Sequence, residues 1–276
     1  MDWRKSKLSN RTKRQIKSLA VNKKQSCREI QRYLGLNVHH TTVFRTLKSN
    51  PTVEYSKLKT GPKLLSRHKA LRQQFSRNYI RSDFSKWIFS DEKKFNLDGP
   101  DGINFFWRDI RKEKEVFSRR NFGGGSLMVH GAFSGDSCLP LAFPSSKMDS
   151  KEYQTVLDTT ILPYLQCETR RNMLFQRDNA PFHVSKSTVE WFKNKSITTV
   201  NWPPNSPDLN PMENVWGMLV RRVYSGNKVY ERKAELKKSI LKEWNEITLE
   251  TRKSLVDSLP NRLLTVIEKK GNFIPY

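Results

Sequence analysis

Three acidic residues stand where an apolar run gives out or a helix begins. Asp91 follows Trp-Ile-Phe-Ser, Asp178 follows Met-Leu-Phe-Gln-Arg, and Glu213 falls in the first turn of a helix that the pattern starts at Pro211. Acids directly after apolar strands project from a sheet edge towards a common point. Three carboxylates meeting there repel one another unless cations sit between them. Mg²⁺ suits such a place, because it prefers oxygen ligands, retains waters and bridges to phosphate. Two ions roughly 3.5–4 Å apart can activate water or a 3′-hydroxyl and stabilise the leaving oxygen of a phosphodiester.

Each acid also has an ordinary structural reading. Asp91 and Glu92 are adjacent, so one of them could be a solvated strand-end charge paired with Lys93 or Lys94. Asp178 precedes Asn-Ala-Pro and could form a turn through its side chain. In Asn210-Pro-Met-Glu213, asparagine is a good N-cap, proline fits the first helical position, and glutamate falls where a capping box wants it. Asn179 and His183 lie beside the second acid. They could contact phosphate or metal-bound water, and a structural hydrogen-bonding role is equally open. The Gly123-Gly-Gly run is not followed by Gly-Lys-Ser/Thr, so it reads as a turn between strands and not as a phosphate loop. Cys27, Cys138 and Cys167 lack a CxxC spacing and read as structural.

The elements that must carry the acids follow from periodicity. Residues 86–97 and 126–134 read as strands, with further strands at 104–108, 139–143, 173–176 and 197–201. Apolar residues recurring every three or four positions predict helices over 149–165, 185–193, 211–224, 231–245 and 249–268. Strands first, then strands alternating with helices, predict an α/β domain with a mixed sheet over 85–276.

Upstream the composition changes. The chain of 276 residues carries a net charge of +24, and residues 1–86 hold +18 of it. A surplus that large favours a polyanionic partner. Residues 9–50 read as three short helices, the second opened by a capping box in Ser26-Cys-Arg-Glu29 and closed near Gly35. The third, from about His39 to Leu47, would bury Val43, Phe44 and Leu47 and present His40, Thr41, Thr42 and Arg45. That is the helix-turn-helix layout, in which the second helix of the pair enters the major groove. Residues 1–50 are therefore expected to be a DNA-binding domain. Residues 51–84 read as a basic linker and connecting helix, whose Lys57, Lys59 and Lys63 would track phosphates. No stretch approaches the roughly 18 apolar residues of a membrane span, and the N-terminus lacks a secretory apolar run. A soluble intracellular protein with no membrane partner is expected.

At this point the residues match a family. Ser90-Asp91-Glu-Lys-Lys-Phe, Gln176-Arg-Asp178-Asn-Ala-Pro-Phe-His183 and Asn201-Trp-Pro-Pro-Asn-Ser-Pro-Asp-Leu-Asn-Pro-Met-Glu213-Asn-Val-Trp216 resemble the Tc branch of the Tc/mariner superfamily of transposases. Thirty-four residues lie between Asp178 and Glu213, the spacing of that branch. Arg119-Arg-Asn-Phe-Gly-Gly-Gly-Ser-Leu-Met-Val-His-Gly-Ala-Phe is similar to it too. The resemblance implies a ribonuclease-H-like catalytic fold with Asp91, Asp178 and Glu213 as catalytic and metal-binding triad, and two Mg²⁺ or Mn²⁺ ions. It also implies cut-and-paste movement of a DNA element by cleavage and strand transfer at its inverted repeats. The partners would be double-stranded DNA, both element ends and target, and a second copy of the chain on that DNA, with the nucleus as the place of action. By the same resemblance the long basic stretch 98–122 would be a loop that clasps a partner subunit; by composition alone it is a solvated hairpin region.

The sequence departs from the family at three points. It has room for one helix-turn-helix unit where members carry two, so the first is expected to be missing and sequence specificity reduced. His130 stands where the pattern has tryptophan, and Arg177 where it has glutamine. Two competing readings follow: a transposase-derived DNA-binding protein that no longer cuts, and a ribonuclease-H-type nuclease acting on hybrids. The helix-turn-helix favours B-form DNA over hybrid.

Overall fold

The computed structural model of the chain describes residues 8–23, 25–53, 64–100 and 125–275, excepting the Asn227 side chain. The chain divides into two compact units, Met1–Gly61 and Pro62–Tyr276.

The smaller unit holds α1 (Asn10–Asn22), α2 (Cys27–Tyr33) and α3 (His40–Lys48). Both bonds of the capping box form: the Ser26 N–H donates to Glu29 Oε2 at 2.7 Å, and the Glu29 N–H donates to Ser26 Oγ at 3.3 Å. Gly35 ends the α2 segment in the left-handed region, at φ 55°, where glycine is unstrained. Ile16, Ile30 and Val43 are fully buried where the three helices meet. Phe44 corrects an expectation, being 40% exposed. Val43 and Leu47 lie one turn apart and fill the small core, while Phe44 sits about 100° further round the helix.

The larger unit begins with α4 (Ser66–Tyr79). This is the basic helix expected to connect two domains. It packs instead on α11 (Leu259–Glu268), burying Arg72, Phe75 and Ser76. Its inward face is short on aliphatic residues, so along the sequence it reads as a basic connecting helix.

β1 (Trp87–Asn96) is the central strand of a three-stranded sheet among the described residues. It pairs antiparallel with β2 (Ser126–Phe133) and parallel with β3 (Leu174–Gln176), which makes the sheet mixed, as expected. The expected strand at 104–108 lies outside the described residues. In place of the expected strand at 139–143 there are only isolated bridges to β2 at Ala142 and at the preceding Cys138, because Pro140 lies between them and has no N–H to donate. Residues 197–201 are likewise reduced to one parallel bridge, Thr199 to Phe175, on the three-residue β3.

Alternation along β1 splits the core in two. Trp87, Phe89 and Phe95 face α8 (Met212–Val223), α9 (Lys233–Asn245) and α11. Ile88 faces α5 (Ser150–Thr160), α6 (Leu162–Leu165) and α7 (Lys186–Asn194). Two long helical patterns are interrupted, the first after Thr160 and the second between α10 (Leu249–Asp257) and α11. Pro163 and Pro260 supply the reason: each sits at the start of the following helix, where a missing N–H costs nothing. No helix among the described residues is long and apolar enough to cross a membrane.

Candidate active site

Asp91 does not end its strand. It lies mid-β1, opposite Gly131 of β2. The strand runs on through Glu92, Lys93 and Lys94 because these positions pair with His130, Val129 and Met128. Its side chain is on the α8 face, where Trp216 donates its indole N–H to Asp91 Oδ2 at 3.0 Å. Gly131 makes this approach possible, since a Cβ there would stand 2.9 Å from Trp216 Cη2. Burial, then the charges of Glu92 and Glu213, push the Asp91 carboxyl well above the usual carboxylate range.

Asp178 lies two residues beyond β3. The parallel register Phe89–Gln176, carried that much further, sets it level with Asp91. Asp178 Oδ1 accepts from the Ala180 N–H at 2.9 Å and lies 2.6 Å from His183 Nδ1. Burial alone would raise its pKa, but the bonds from His183 and Ala180 hold it low. The other ring nitrogen of His183 is 3.3 Å from Glu92 Oε1. Burial would lower the histidine; the two carboxylates outweigh it and push it up to about 9. Asn179 donates its amide N–H to the Trp202 carbonyl at 2.8 Å, tying the segment after the second acid to the Pro-Pro loop.

Glu213 sits in the first turn of α8. Asn210 fixes that turn: its Oδ1 accepts the Met212 N–H at 3.0 Å and its Nδ2 donates to the Ser90 carbonyl at 3.0 Å. The start of α8 is thereby tied to the residue before Asp91. Burial raises the Glu213 carboxyl, against the opposing charge of Lys93.

The three acids line one cleft of about 590 Å³, together with Asn179, Asn210 and the 202–207 loop. Among the described residues, no three His, Cys, Asp or Glu side chains stand close enough to enclose an ion by themselves. An open donor set of this kind fits Mg²⁺, which binds through one or two carboxylates plus substrate phosphate and keeps its remaining waters. Burial raises Asp91 most, and the further repulsion from its neighbouring acids is what a cation among them relieves.

In the smaller unit, Thr41 and Arg45 are exposed on α3, and His40 and Thr42 are half-buried. The Thr41 N–H and hydroxyl meet His39 Nδ1, which caps the helix. Lys57, Lys59 and Lys63 lie outside the described residues.

Of the residues that position the acids, the sequence singles out His183, with a structural hydrogen-bonding role left open, but not Trp216 or Asn210 in that role. Trp216 lay inside the third motif, one turn along α8 from Glu213, and that spacing was the available signal. Asn210 was read as a cap only. Glu92 was offered as a solvated charge, although its side chain is 13% exposed. Arg72 gave no signal at all.

A mixed sheet flanked by helices on both faces, with acids from β1, from beyond β3 and from α8 at one cleft, is a ribonuclease-H-like nuclease arrangement. Residues 86–237 match the DDE superfamily endonuclease family. Over 273 residues the chain is 46% identical to the transposable element Tc3 transposase of Caenorhabditis elegans, covering 99% of this chain and 83% of that relative. It is 36% identical over 217 residues to the transposable element Tcb2 transposase of Caenorhabditis briggsae, covering 76% and 78% respectively. The fold matches the Mos1 transposase paired-end complex with left transposon end, with TM-score 0.79 and 15% identity over 100% of this chain and 82% of that one. It also matches the Mos1 paired end complex with Mg, with TM-score 0.78 and 17% identity over 100% and 83%. The chain belongs to the DDE superfamily endonucleases and, within them, to the Tc/mariner DNA transposases.

Proposed function

We propose that the chain cuts DNA at the ends of a transposable element and joins the freed 3′-hydroxyl to target DNA, using Asp91, Asp178 and Glu213 with two Mg²⁺ or Mn²⁺ ions. One observation carries the reading: acids from three separate elements line a single cleft. When bound, the ions would supply Lewis-acid charge at the scissile phosphate and activation of the attacking hydroxyl. Asp91 and Asp178 would share them and Glu213 would complete the set. The chain's own part is positioning: Trp216 holds Asp91, Asn210 holds the start of α8, and His183 holds Asp178. Fixed placement and charge neutralisation are what phosphoryl transfer asks of a protein.

The DNA partner would be gripped by the smaller unit through His40, Thr41, Thr42 and Arg45, and by Lys57, Lys59 and Lys63 on phosphates. The charge of +18 over residues 1–86 supports this. Two copies would act together on paired ends, in the nucleus. Filter binding should weaken steeply with salt; an affinity indifferent to ionic strength counts against the grip.

The test of catalysis is nicking of supercoiled plasmid with Mg²⁺ or Mn²⁺. The parent chain nicks, and Asp178→Asn abolishes nicking while sparing DNA binding. A variant that still cuts refutes the triad. A parent chain that binds but never nicks supports the silent DNA-binding reading instead.

A further inference from the structure

β1 carries two acids side by side, and the strand's period of two sends them to opposite faces of the sheet. Asp91 goes to the α8 face and to the cleft. Glu92 goes to the α5 face, into a buried cluster of His130, His183 and Tyr153. His183 is 2% exposed and His130 is fully buried. The Tyr153 ring packs 4.3 Å from the His183 ring and 6.2 Å from the His130 ring, centroid to centroid. A carboxylate in such a place needs hydrogen-bonding partners, because burial without them is costly.

Its partner is His183, at 3.3 Å from Glu92 Oε1. His130 comes no nearer than 3.9 Å to that oxygen, and neither of its ring nitrogens has a hydrogen-bond partner among the described residues. His183 is therefore held at both ends, with Glu92 on Nε2 and Asp178 on Nδ1. An imidazole bound at one nitrogen can still tilt about that single contact. Bound at both, it has one orientation, and it presents that orientation to Asp178. Both protein bonds to the Asp178 carboxylate, from His183 and from the Ala180 N–H, fall on Oδ1. Oδ2 has none among the described residues.

We propose that Glu92 is a positioning residue for the reaction: through His183 it fixes the plane of the Asp178 carboxylate and leaves Oδ2 directed to the metal. One strand then sets both aspartates, Asp91 directly and Asp178 through Glu92 and His183, so their separation is fixed by β1 itself. Partners that orient a ligand in this way are worth about 10–100-fold in metal affinity or activity. This inference rests on Asp178 being a metal ligand, as proposed above.

The test compares Glu92→Asp with Glu92→Gln in the full chain. Aspartate keeps the charge but is shorter by one bond, about 1.5 Å, and falls short of His183. Glutamine keeps the reach and an acceptor oxygen but loses the charge. Mn²⁺ binding to the DNA-free protein, followed by the electron paramagnetic resonance of free Mn²⁺, is the first readout. The Mg²⁺ concentration for half-maximal nicking is the second. Glu92→Asp should weaken Mn²⁺ binding about tenfold and raise the Mg²⁺ requirement in parallel, while Glu92→Gln stays within about twofold of the parent. A purely structural glutamate would lower the melting temperature and leave both metal readouts unmoved. If Glu92→Asp binds Mn²⁺ like the parent, or Glu92→Gln is as weak as Glu92→Asp, the inference is overturned. Asp178→Asn, run alongside, separates the two readings. If it too binds Mn²⁺ like the parent, the triad reading falls and this inference with it; if it loses Mn²⁺ while Glu92→Asp does not, only this inference falls.

Discussion

Arg72 of α4 and Asp208, 136 residues later in the loop before α8, form a two-point ion pair with no solvent exposure: Nη1 lies 2.7 Å from Oδ1 and Nη2 2.6 Å from Oδ2. The remaining donors and acceptors are used as well. Arg72 Nε donates to the Gly271 carbonyl and Nη1 also donates to Ser206 Oγ, while Asp208 Oδ2 accepts the Ile274 N–H. The pair thus joins the first helix of the larger unit, the loop that leads to Glu213 and the C-terminal segment. Removing one partner leaves a buried charge uncompensated, so Arg72→Met should cost about 3–5 kcal/mol in a urea unfolding curve. Replacing both, as Arg72→Met with Asp208→Leu, should recover much of that loss. If the single variant unfolds with the parent's midpoint, the pair does not hold the unit together.

The indole of Trp216 acts on Asp91 only if it can approach β2. Trp216→Phe keeps the ring in the core and removes the N–H, so it should lower metal-dependent nicking about tenfold with modest loss of stability. Gly131→Ala should do the same by a different route, because the added methyl displaces the indole. Single-turnover nicking rates and melting curves on the two variants check this. Unchanged nicking in both would make the 3.0 Å bond irrelevant to catalysis.

The His183–Asp178 pair gives stability a defined pH window in the metal-free protein. His183 is raised from 6.5 to about 9, so its contribution is complete below 6.5 and disappears as pH rises through about 9. Asp178 is depressed from 3.8, so its contribution is present above 3.8 and is lost as pH falls through its lowered value. Both operate together between roughly pH 4 and 6.5. The stability difference between the parent and His183→Gln, taken from urea midpoints, should be largest there and shrink by pH 9.5. A difference independent of pH would mean that the imidazole is not charged in the folded chain.

Asp91 and Glu213 behave in the opposite sense. Both are raised, so the folded chain holds their protons more tightly than the unfolded one and loses stability as pH rises through their folded values. A divalent cation among these acids replaces the lost protons. Mg²⁺ should therefore raise the melting temperature more at pH 8 than at pH 5, where protons compete with it. At a concentration 100 times the dissociation constant the gain is about 2.7 kcal/mol. Equal melting temperatures with and without Mg²⁺ at pH 8, in a chain that still nicks, would mean that the ions bind only with DNA.

The elements of this protein were largely legible in its sequence because each announces itself locally. Ser26 and Glu29 carry a capping box within four residues, and the alternation of Trp87, Phe89 and Phe95 with Ile88 and Ser90 is a two-sided strand read over ten. The candidate acids were named for another reason: motifs and a fixed spacing picked out Asp91, Asp178 and Glu213, which line one cleft, without any knowledge of distance. Where locality failed, the reading failed too. The strand over 86–97 is legible to within a residue at each end, but Asp91 reads as the end of its apolar run, whereas the ladder to β2 places it mid-strand opposite Gly131. The helix α4 reads as a connector along the sequence because its buried face centres on an arginine.

What the sequence determined alone, then, is the order of elements, the charge bias towards the N-terminus and the choice of candidate acids, since periodicity, composition and spacing lie along the chain. What only the tertiary structure decided is which side chains hold those acids. Trp216 on Asp91, His183 on Asp178 and Glu92 on His183 are contacts between distant or oppositely facing positions, and Arg72 on Asp208, in the loop before Glu213, spans 136 residues. Their geometry depends on strand register, on a glycine opposite Asp91, and on which face of a helix turns inward. Those quantities exist only once the chain has closed on itself.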